Sequence, residues 1–235
     1  MLEWVHYLKT QNFYKGHSMR EEIIGKAAEF LKTELNKTVG FTDRTPRMVE
    51  YRIEHSFRVA HIAREIAKAE GFDEERMYVA ALLHDIGYAK QYESPKDSSN
   101  HGREGAKIAR PFFKSLGYSD AEVEEMCYGI AIHVDDTSDF EGEKTPFAIT
   151  IGDADNIDRF DVYRIYEGLE FLKFSELPLS EQITFADKRI NKLKQLREYP
   201  FGTKTGDKMW HEKVDFQLEF FNRLKNQLEK SDIEY

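Results

Sequence analysis

Apolar positions recur with a helical period along almost the whole chain. Amphipathic stretches of this kind run over about 19–35, 48–70 and 73–84, and further along over 102–116, 120–134 and 147–171. Two more follow at 180–198 and at about 206–230. Since no alternating run is long enough to indicate a strand, the sequence predicts an all-α protein.

Short polar or Pro/Gly-containing segments separate the predicted helices. Gly71 is suited to the C-cap of the second helix and Asp73 to the N-cap of the third. We expect loops at 91–100 and 135–146, and a break at 199–205. The apolar run 147–151 fits a short strand or a buried helix equally well.

Several ionisable side chains fall on the apolar faces of these helices. His55 precedes Val59 and Ile66 by four and eleven positions, and His84 follows Ala80 by four, so both imidazoles are expected to point inward. The same reasoning places four further polar residues on or beside inward-facing stripes: Asp85, His101, His133 and Asp155.

Each of these residues alone would most simply be a hydrogen-bonded core residue. Together they are hard to satisfy with one another, because an ionised carboxylate that is buried without a partner costs several kcal/mol. A divalent cation satisfies them jointly, since neutral imidazole nitrogens and carboxylate oxygens are common metal ligands. The pattern therefore indicates a metal site.

Composition and charge limit the possible functions. Hydrophobic residues make up 40% of the 235 positions, which excludes a disordered chain. The net charge of −9 disfavours binding to long nucleic acid, and no apolar segment approaches the roughly 18 residues that span a bilayer. With one cysteine, Cys127, and no basic-then-apolar start, we expect a cytoplasmic protein without a disulfide framework.

The inward-facing residues also form a familiar pattern. His55, the pair His84-Asp85 in ALLHDIG, and Asp155 in GDADNID resemble the H…HD…D pattern of the HD-domain metal-dependent phosphohydrolases. The resemblance covers about 51–161 and implies an HD-domain-like helical bundle. We accordingly expect an N-terminal helical extension at 1–46, a metal-binding core at 47–175 and a C-terminal helical extension at 176–235 that packs on the core.

The resemblance implies ligand roles residue by residue. Asp85 bridges two metals, of which the first also takes His55, His84 and Asp155, and the second His101 and His133. Asp153 competes with Asp155, but the family's A-D-x-x-D pattern fits 154–158 and favours Asp155. The cofactor is expected to be one or two divalent transition metals per chain (Mn, Fe, Co, Ni or Zn), which suit this ligand set better than Ca.

The expected activity is hydrolysis of a small phosphate ester, with a nucleotide as the expected substrate, by metal-activated water. With one metal, Asp85 or Asp158 would instead orient the water, and Lys90 is a further catalytic candidate. Arg58, Lys90 and Arg103 are candidates for phosphate binding, although a solvated surface position explains each at least as well.

Two other functions remain open from the sequence. The same ligand set occurs in di-iron oxygenases of the HD fold, and a retained HD fold can also serve as a non-catalytic, metal-dependent nucleotide sensor.

Overall fold

The computed structural model describes residues 21–39, 41, 44–135 and 142–231. This part of the chain contains helices and no strand, which confirms the all-α prediction. None of its helices combines the length and apolar character that crossing a membrane requires. The first 20 residues of the expected N-terminal extension, and 136–141 of the expected connection, lie outside the described residues.

The helices follow one another through short turns. In chain order they are α1 (Glu21–Asn36), α2 (Pro46–Glu70), α3 (Glu74–Leu82), α4 (Pro95–Ser98), α5 (His101–Ser115), α6 (Asp120–Ile132), α7 (Pro146–Arg159), α8 (Val162–Phe171), α9 (Leu179–Leu196) and α10 (Lys204–Glu229). Two 3₁₀ turns, Ile86–Ala89 and Phe174–Glu176, precede α4 and α9.

Local sequence fixes both ends of α2. The Thr45 side chain accepts a hydrogen bond from the Met48 N–H, and Pro46 occupies the first turn, where its missing N–H costs nothing. Gly71 ends the helix with a left-handed φ of 79° and donates its N–H to the Ala67 carbonyl. The predicted end of this helix at Gly71 is confirmed.

The third helix is shorter than the sequence predicts. It begins after Asp73 as expected, but it ends two residues before His84. The chain tightens there into three-residue turns, in which the Leu83 N–H bonds to the Ala80 carbonyl at 3.2 Å. His84 and Asp85 therefore lie in the turn between α3 and the first 3₁₀ turn.

The prediction of a single helix over 147–171 is wrong, because the chain forms α7 and α8 instead. The helix stops at Phe160, and Asp161 caps α8 by accepting a hydrogen bond from the Val162 N–H at 2.7 Å. The ambiguous run 147–151 is helical. The segment 91–100, expected to be a loop throughout, includes the short α4.

Two apolar cores lie on either side of α2 and α7. The first contains Leu31, Met77 and Ile130 and joins these two helices to α1, α3, α5 and α6. The second contains Trp210 and Phe221, and it packs α9 and α10 against α2, α7 and α8. The two shared helices are thereby held from both sides. The expected domain boundaries at 46 and 175 stay predictions.

Candidate metal centre

The six residues predicted as metal ligands come together in the structure. His55 lies in the middle of α2, His84 and Asp85 follow α3, His101 begins α5, His133 follows α6, and Asp155 lies on α7. All six are buried. The cluster therefore forms where five segments of the bundle meet.

Asp85 lies at the middle of the cluster. Its Oδ1 atom is 3.2 Å from His101 Nε2 and 3.5 Å from His133 Nε2. Its Oδ2 atom is 3.5 Å from His84 Nε2 and 3.7 Å from His55 Nε2. Each carboxylate oxygen thus faces a different pair of histidines, which is the arrangement that a bridging carboxylate needs.

Asp155 completes the cluster from α7. Its Oδ1 atom lies 3.1 Å from His55 Nε2 and 3.9 Å from His84 Nε2. Asp153, the competing candidate, instead accepts a hydrogen bond from the Gly202 N–H at 2.8 Å. This geometry favours Asp155 over Asp153 as the ligand.

The cluster is continuous rather than divided into two separate ligand sets. Groups of three ligand atoms that lie within 4.8 Å of one another include His55 with His84 and Asp85, and Asp85 with His101 and His133. A third such group joins His84, His133 and Asp155. His84 and His133 therefore link the two predicted metal positions directly.

All four histidines present the same ring nitrogen to the cluster. In each ring Nδ1 donates to an oxygen outside the cluster, which leaves Nε2 facing inward. The acceptors are an Asp158 carboxylate oxygen for His55 (2.7 Å) and backbone carbonyls for the others: Ala81 for His84 (2.7 Å), Ser98 for His101 (2.6 Å) and Ile130 for His133 (2.7 Å).

The inward-facing Nε2 of His84 shows what the cluster lacks. This atom is buried and, within the part of the chain that the structure describes, has no hydrogen-bond partner. Buried polar atoms are nearly always satisfied, and an Nε2 whose ring donates through Nδ1 needs a proton or a metal ion as its partner. The residues therefore fit a divalent transition metal.

The charges of the cluster are set by its burial and its neighbours. Burial acts to raise the pKa of Asp85, but Arg52 and the surrounding histidines hold it well below its ordinary value. Burial lowers the pKa of His84 to about 4, so this ring is neutral at neutral pH. Although burial opposes it, hydrogen bonds to Asp155 and Asp158 raise the pKa of His55 to about 9.

The three cations predicted to bind phosphate each face a carboxylate of the protein. Arg58 donates from Nε and Nη2 to the two oxygens of Asp158, at 2.8 and 3.3 Å. Lys90 pairs with Glu104, and Arg103 pairs with Asp135 at 3.2 Å. None of these contacts involves the six-residue cluster, and a role for these cations in phosphate binding stays a prediction.

Arg52 is a cation next to the cluster that the sequence analysis did not select. Its Nη1 atom lies 2.5 Å from Asp85 Oδ2, and its guanidinium lies 4.0 Å from the centre of the Tyr88 ring. Tyr88 in turn stacks on His101 with 4.4 Å between ring centres. Arg52 precedes His55 by three positions, so one turn of α2 gives both side chains the same direction.

A cavity of about 510 Å³ opens beside Arg52 and Tyr88. Arg44 also lines it and donates to the Tyr88 carbonyl at 2.7 Å. Apolar side chains such as Met48 and Val49 line it as well. Arg52 and Tyr88, which contact the cluster, thus border a space of a size typical for small-molecule ligands.

Comparison with known proteins agrees with this geometry. Residues 52–159 match the family model of the HD domain. A stretch of 99 residues is 30% identical to an uncharacterized protein of Clostridium beijerinckii, a match that spans 41% of this chain and 61% of that protein. The crystal structure of a predicted HD superfamily hydrolase from an uncultured Thermotogales bacterium has the same fold, with a TM-score of 0.56 and 23% identity over 88% of this chain and 92% of that one.

Proposed function

The chain belongs to the HD-domain superfamily through residues 52–159, and on that premise we propose that it is a metal-dependent phosphohydrolase. One observation carries the proposal. Four imidazole Nε2 atoms and two carboxylates form one continuous buried cluster, while every Nδ1 of those rings is bonded to an oxygen outside the cluster. Burying these imidazole nitrogens and carboxylates in fixed directions costs free energy unless a metal ion serves as their common partner.

The six clustered residues are the proposed ligands of one or two transition metals from the set Mn, Fe, Co, Ni and Zn: His55, His84, Asp85, His101, His133 and Asp155. When bound, such a metal lowers the pKa of water toward neutrality and withdraws charge from a phosphoryl oxygen. The fixed direction of each ring supports this assignment.

The neighbouring residues support distinct roles around these ligands. Asp158 accepts from both His55 and Arg58, so we propose that it orients the His55 ring rather than a water molecule. Asp85 remains the proposed bridge. Lys90, which pairs with Glu104 outside the cluster, keeps a proposed role only at the edge of the site.

Arg52 is the proposed contact for the phosphoryl group. It is the cation closest to Asp85, and its side chain is 30% exposed, so it can reach a ligand from the 510 Å³ cavity. Arg159 lies 3.5 Å from Asp155 Oδ2, with a side chain that is 55% exposed. Two partly exposed guanidinium groups that contact proposed ligands support an anionic substrate, for which we propose a small phosphate ester such as a nucleotide.

The single cysteine, Cys127, is buried and free, which fits our proposal that the protein works in the reducing cytoplasm.

The proposal is tested by reconstituting the protein with Mn, Fe, Co, Ni or Zn and assaying p-nitrophenyl phosphate, bis-p-nitrophenyl phosphate and a panel of nucleotides. We expect phosphate release with at least one metal, and its loss in His84→Ala. The matched control is His61→Ala on α2, an exposed histidine whose ring contacts only Tyr78 among the rings of the described residues. Oxygen consumption by the iron-loaded protein without phosphate release would contradict the proposal and indicate an oxygenase.

A further inference from the structure

A second cavity, of about 430 Å³, shares no lining residue with the cavity beside Arg52. It is lined by His133 and by one side of α7, including Gly152 and Asn156. The segment between α9 and α10 closes it with Tyr199 and Gly202. The cavity therefore connects a proposed metal ligand with the C-terminal part of the chain, and of its lining residues the proposed function uses only His133 and Arg159.

Asn156 offers unused hydrogen-bonding capacity in this cavity. It follows the proposed ligand Asp155 directly and is half-buried. Among the residues that the structure describes, its side chain has no hydrogen-bond partner, whereas the side chains of the neighbouring Asp153 and Asp158 bond to Gly202 and His55. Its side chain carries two donors and an acceptor in one plane, which suits the edge of a group that has both kinds of atom.

An aromatic wall borders the cavity. The Tyr199 ring is 47% exposed and packs edge-to-face on Phe201, with 5.9 Å between ring centres. Phe201 stacks on the buried Trp210 at 4.9 Å, and the Trp210 indole donates to the Leu196 carbonyl at 3.0 Å. The wall is thus fixed to the second apolar core and leaves one exposed ring at its rim.

Asp153 fixes the position of this wall. Its carboxylate, buried in α7, accepts the Gly202 N–H at 2.8 Å. A Cβ atom at Gly202 would lie 2.6 Å from the Ile149 side chain, so the segment can approach α7 this closely only with glycine there. Asp153 is therefore a positioning residue that holds the wall on the helix carrying Asp155.

Two cations and two carboxylates line this cavity. Arg159 lines it and also contacts Asp155, and Lys144 lines it from the segment before α7. Asp135 pairs with Arg103, and Asp153 accepts the Gly202 N–H. A ligand whose anionic group lies beside Arg159 and whose remaining part is uncharged matches this balance of charges.

We propose that this cavity binds the heteroaromatic base of a nucleotide whose phosphate lies at the metal centre. The inference rests on the proposed function. Asn156 bonds to the polar edge of the base, and Tyr199 stacks on its face, as flat rings prefer. A volume of about 430 Å³ lies within the range that small-molecule sites occupy.

The direct test is nucleoside binding to the metal-free protein, measured by saturation-transfer difference NMR with adenosine, guanosine, cytidine and uridine. We expect signals from the base protons of at least one nucleoside, with ribose alone as the negative probe. Asn156→Leu and Tyr199→Ala should each weaken this binding by about tenfold, the effect of one lost hydrogen bond or stacking contact.

Matched controls are Asn191→Leu and Tyr166→Ala, which replace the same residue types at exposed positions of α9 and α8. Wild-type protein that binds no nucleoside, or binding that survives both cavity substitutions, would overturn the inference. Because Tyr199 is exposed and lies outside any helix, its substitution keeps the test decisive even if Asn156→Leu folds poorly.

The same samples separate this inference from the proposed function. Hydrolysis of p-nitrophenyl esters without nucleoside binding would overturn the base site and leave the phosphohydrolase proposal standing. Nucleoside binding without hydrolysis under any metal would overturn the phosphohydrolase proposal and leave the base site standing. If both hold, the ratio of kcat/KM for the preferred nucleotide to that for p-nitrophenyl phosphate should fall about tenfold in each cavity variant.

Discussion

The Nδ1 atom of His55 donates a hydrogen bond of 2.7 Å to Asp158, which lies 103 positions later in the chain. Because Arg58 also donates to both oxygens of this carboxylate, Asp158 is held in place from two directions. The His55 ring is thereby fixed with Nε2 toward Asp85 and Asp155. A carboxylate behind a ligand histidine determines its tautomer and its direction.

Asp158→Asn tests this relationship. The amide keeps the shape of the side chain but removes the charge that stabilises the Nδ1 proton of His55. We expect metal affinity to fall about 10- to 100-fold, with the protein still folded, as isothermal titration with Mn or Zn would show. Asp187→Asn, on the exposed side of α9, is the control. Unchanged affinity in Asp158→Asn would mean that the carboxylate does not support a ligand.

His101→Ala tests the division of the six ligands between two metals. His101 Nε2 lies close to Asp85 and to His133 but forms no ligand group with His55 or Asp155. Its removal should therefore take away one metal and leave the other, which elemental analysis would detect as a halved metal content. Loss of all metal would show that the two positions are assigned wrongly.

Arg52→Ala tests the proposed phosphoryl contact. Removing a preorganised cation should lower kcat by roughly 10²- to 10³-fold while the metal content stays the same. Arg52→Lys should recover part of the loss. Arg47→Ala, at an exposed arginine near the start of α2 that pairs with Glu50 and Glu54, is the matched control. Loss of metal in Arg52→Ala would instead mean that Arg52 acts by holding Asp85.

Cys127 should be chemically inert in the folded protein. It is fully buried, and burial raises the pKa of its thiol to about 12, so almost no thiolate exists at pH 8. We expect iodoacetamide to label it only after unfolding, as mass spectrometry would show. The thiol of the unfolded chain ionises near pH 8.5, whereas the buried thiol stays protonated to higher pH. The contribution of Cys127 to the free energy of unfolding is therefore fully present below pH 8.5 and is lost as the pH rises toward 12. Rapid labelling of the native protein would contradict the packing of α6.

The sequence was sufficient to predict that the side chains of the cluster face inward. His55 shares a stripe with Val59 and Ile66, and the structure buries all three, because a helical period determines which side chains share a face. The same stripe analysis placed His84 within a helix, whereas it follows one. The backbone hydrogen bonds determine where the helix gives way to a three-residue turn, and the spacing of hydrophobic residues does not show that position.

Contacts between distant residues could not be predicted in the same way. Arg52 pairs with Asp85, 33 positions away, and Arg58 pairs with Asp158, 100 positions away. An arginine near a helix surface has the same sequence pattern whether it contacts solvent or a buried carboxylate, so the sequence does not reveal such a pair. The break between α7 and α8 was missed for another reason. Asp161 acts as an N-cap there, but apolar residues on both sides of it continue the helical pattern.

Elemental analysis of the purified protein by inductively coupled plasma mass spectrometry measures whether the six clustered residues hold transition metal. We expect about one to two equivalents of Mn, Fe, Co, Ni or Zn per chain. His84→Ala and Asp85→Ala should lose that metal while circular dichroism still shows a folded helical protein. Wild-type protein that holds no metal after reconstitution, or variants that keep the full metal content, would mean that these six residues do not form a metal site.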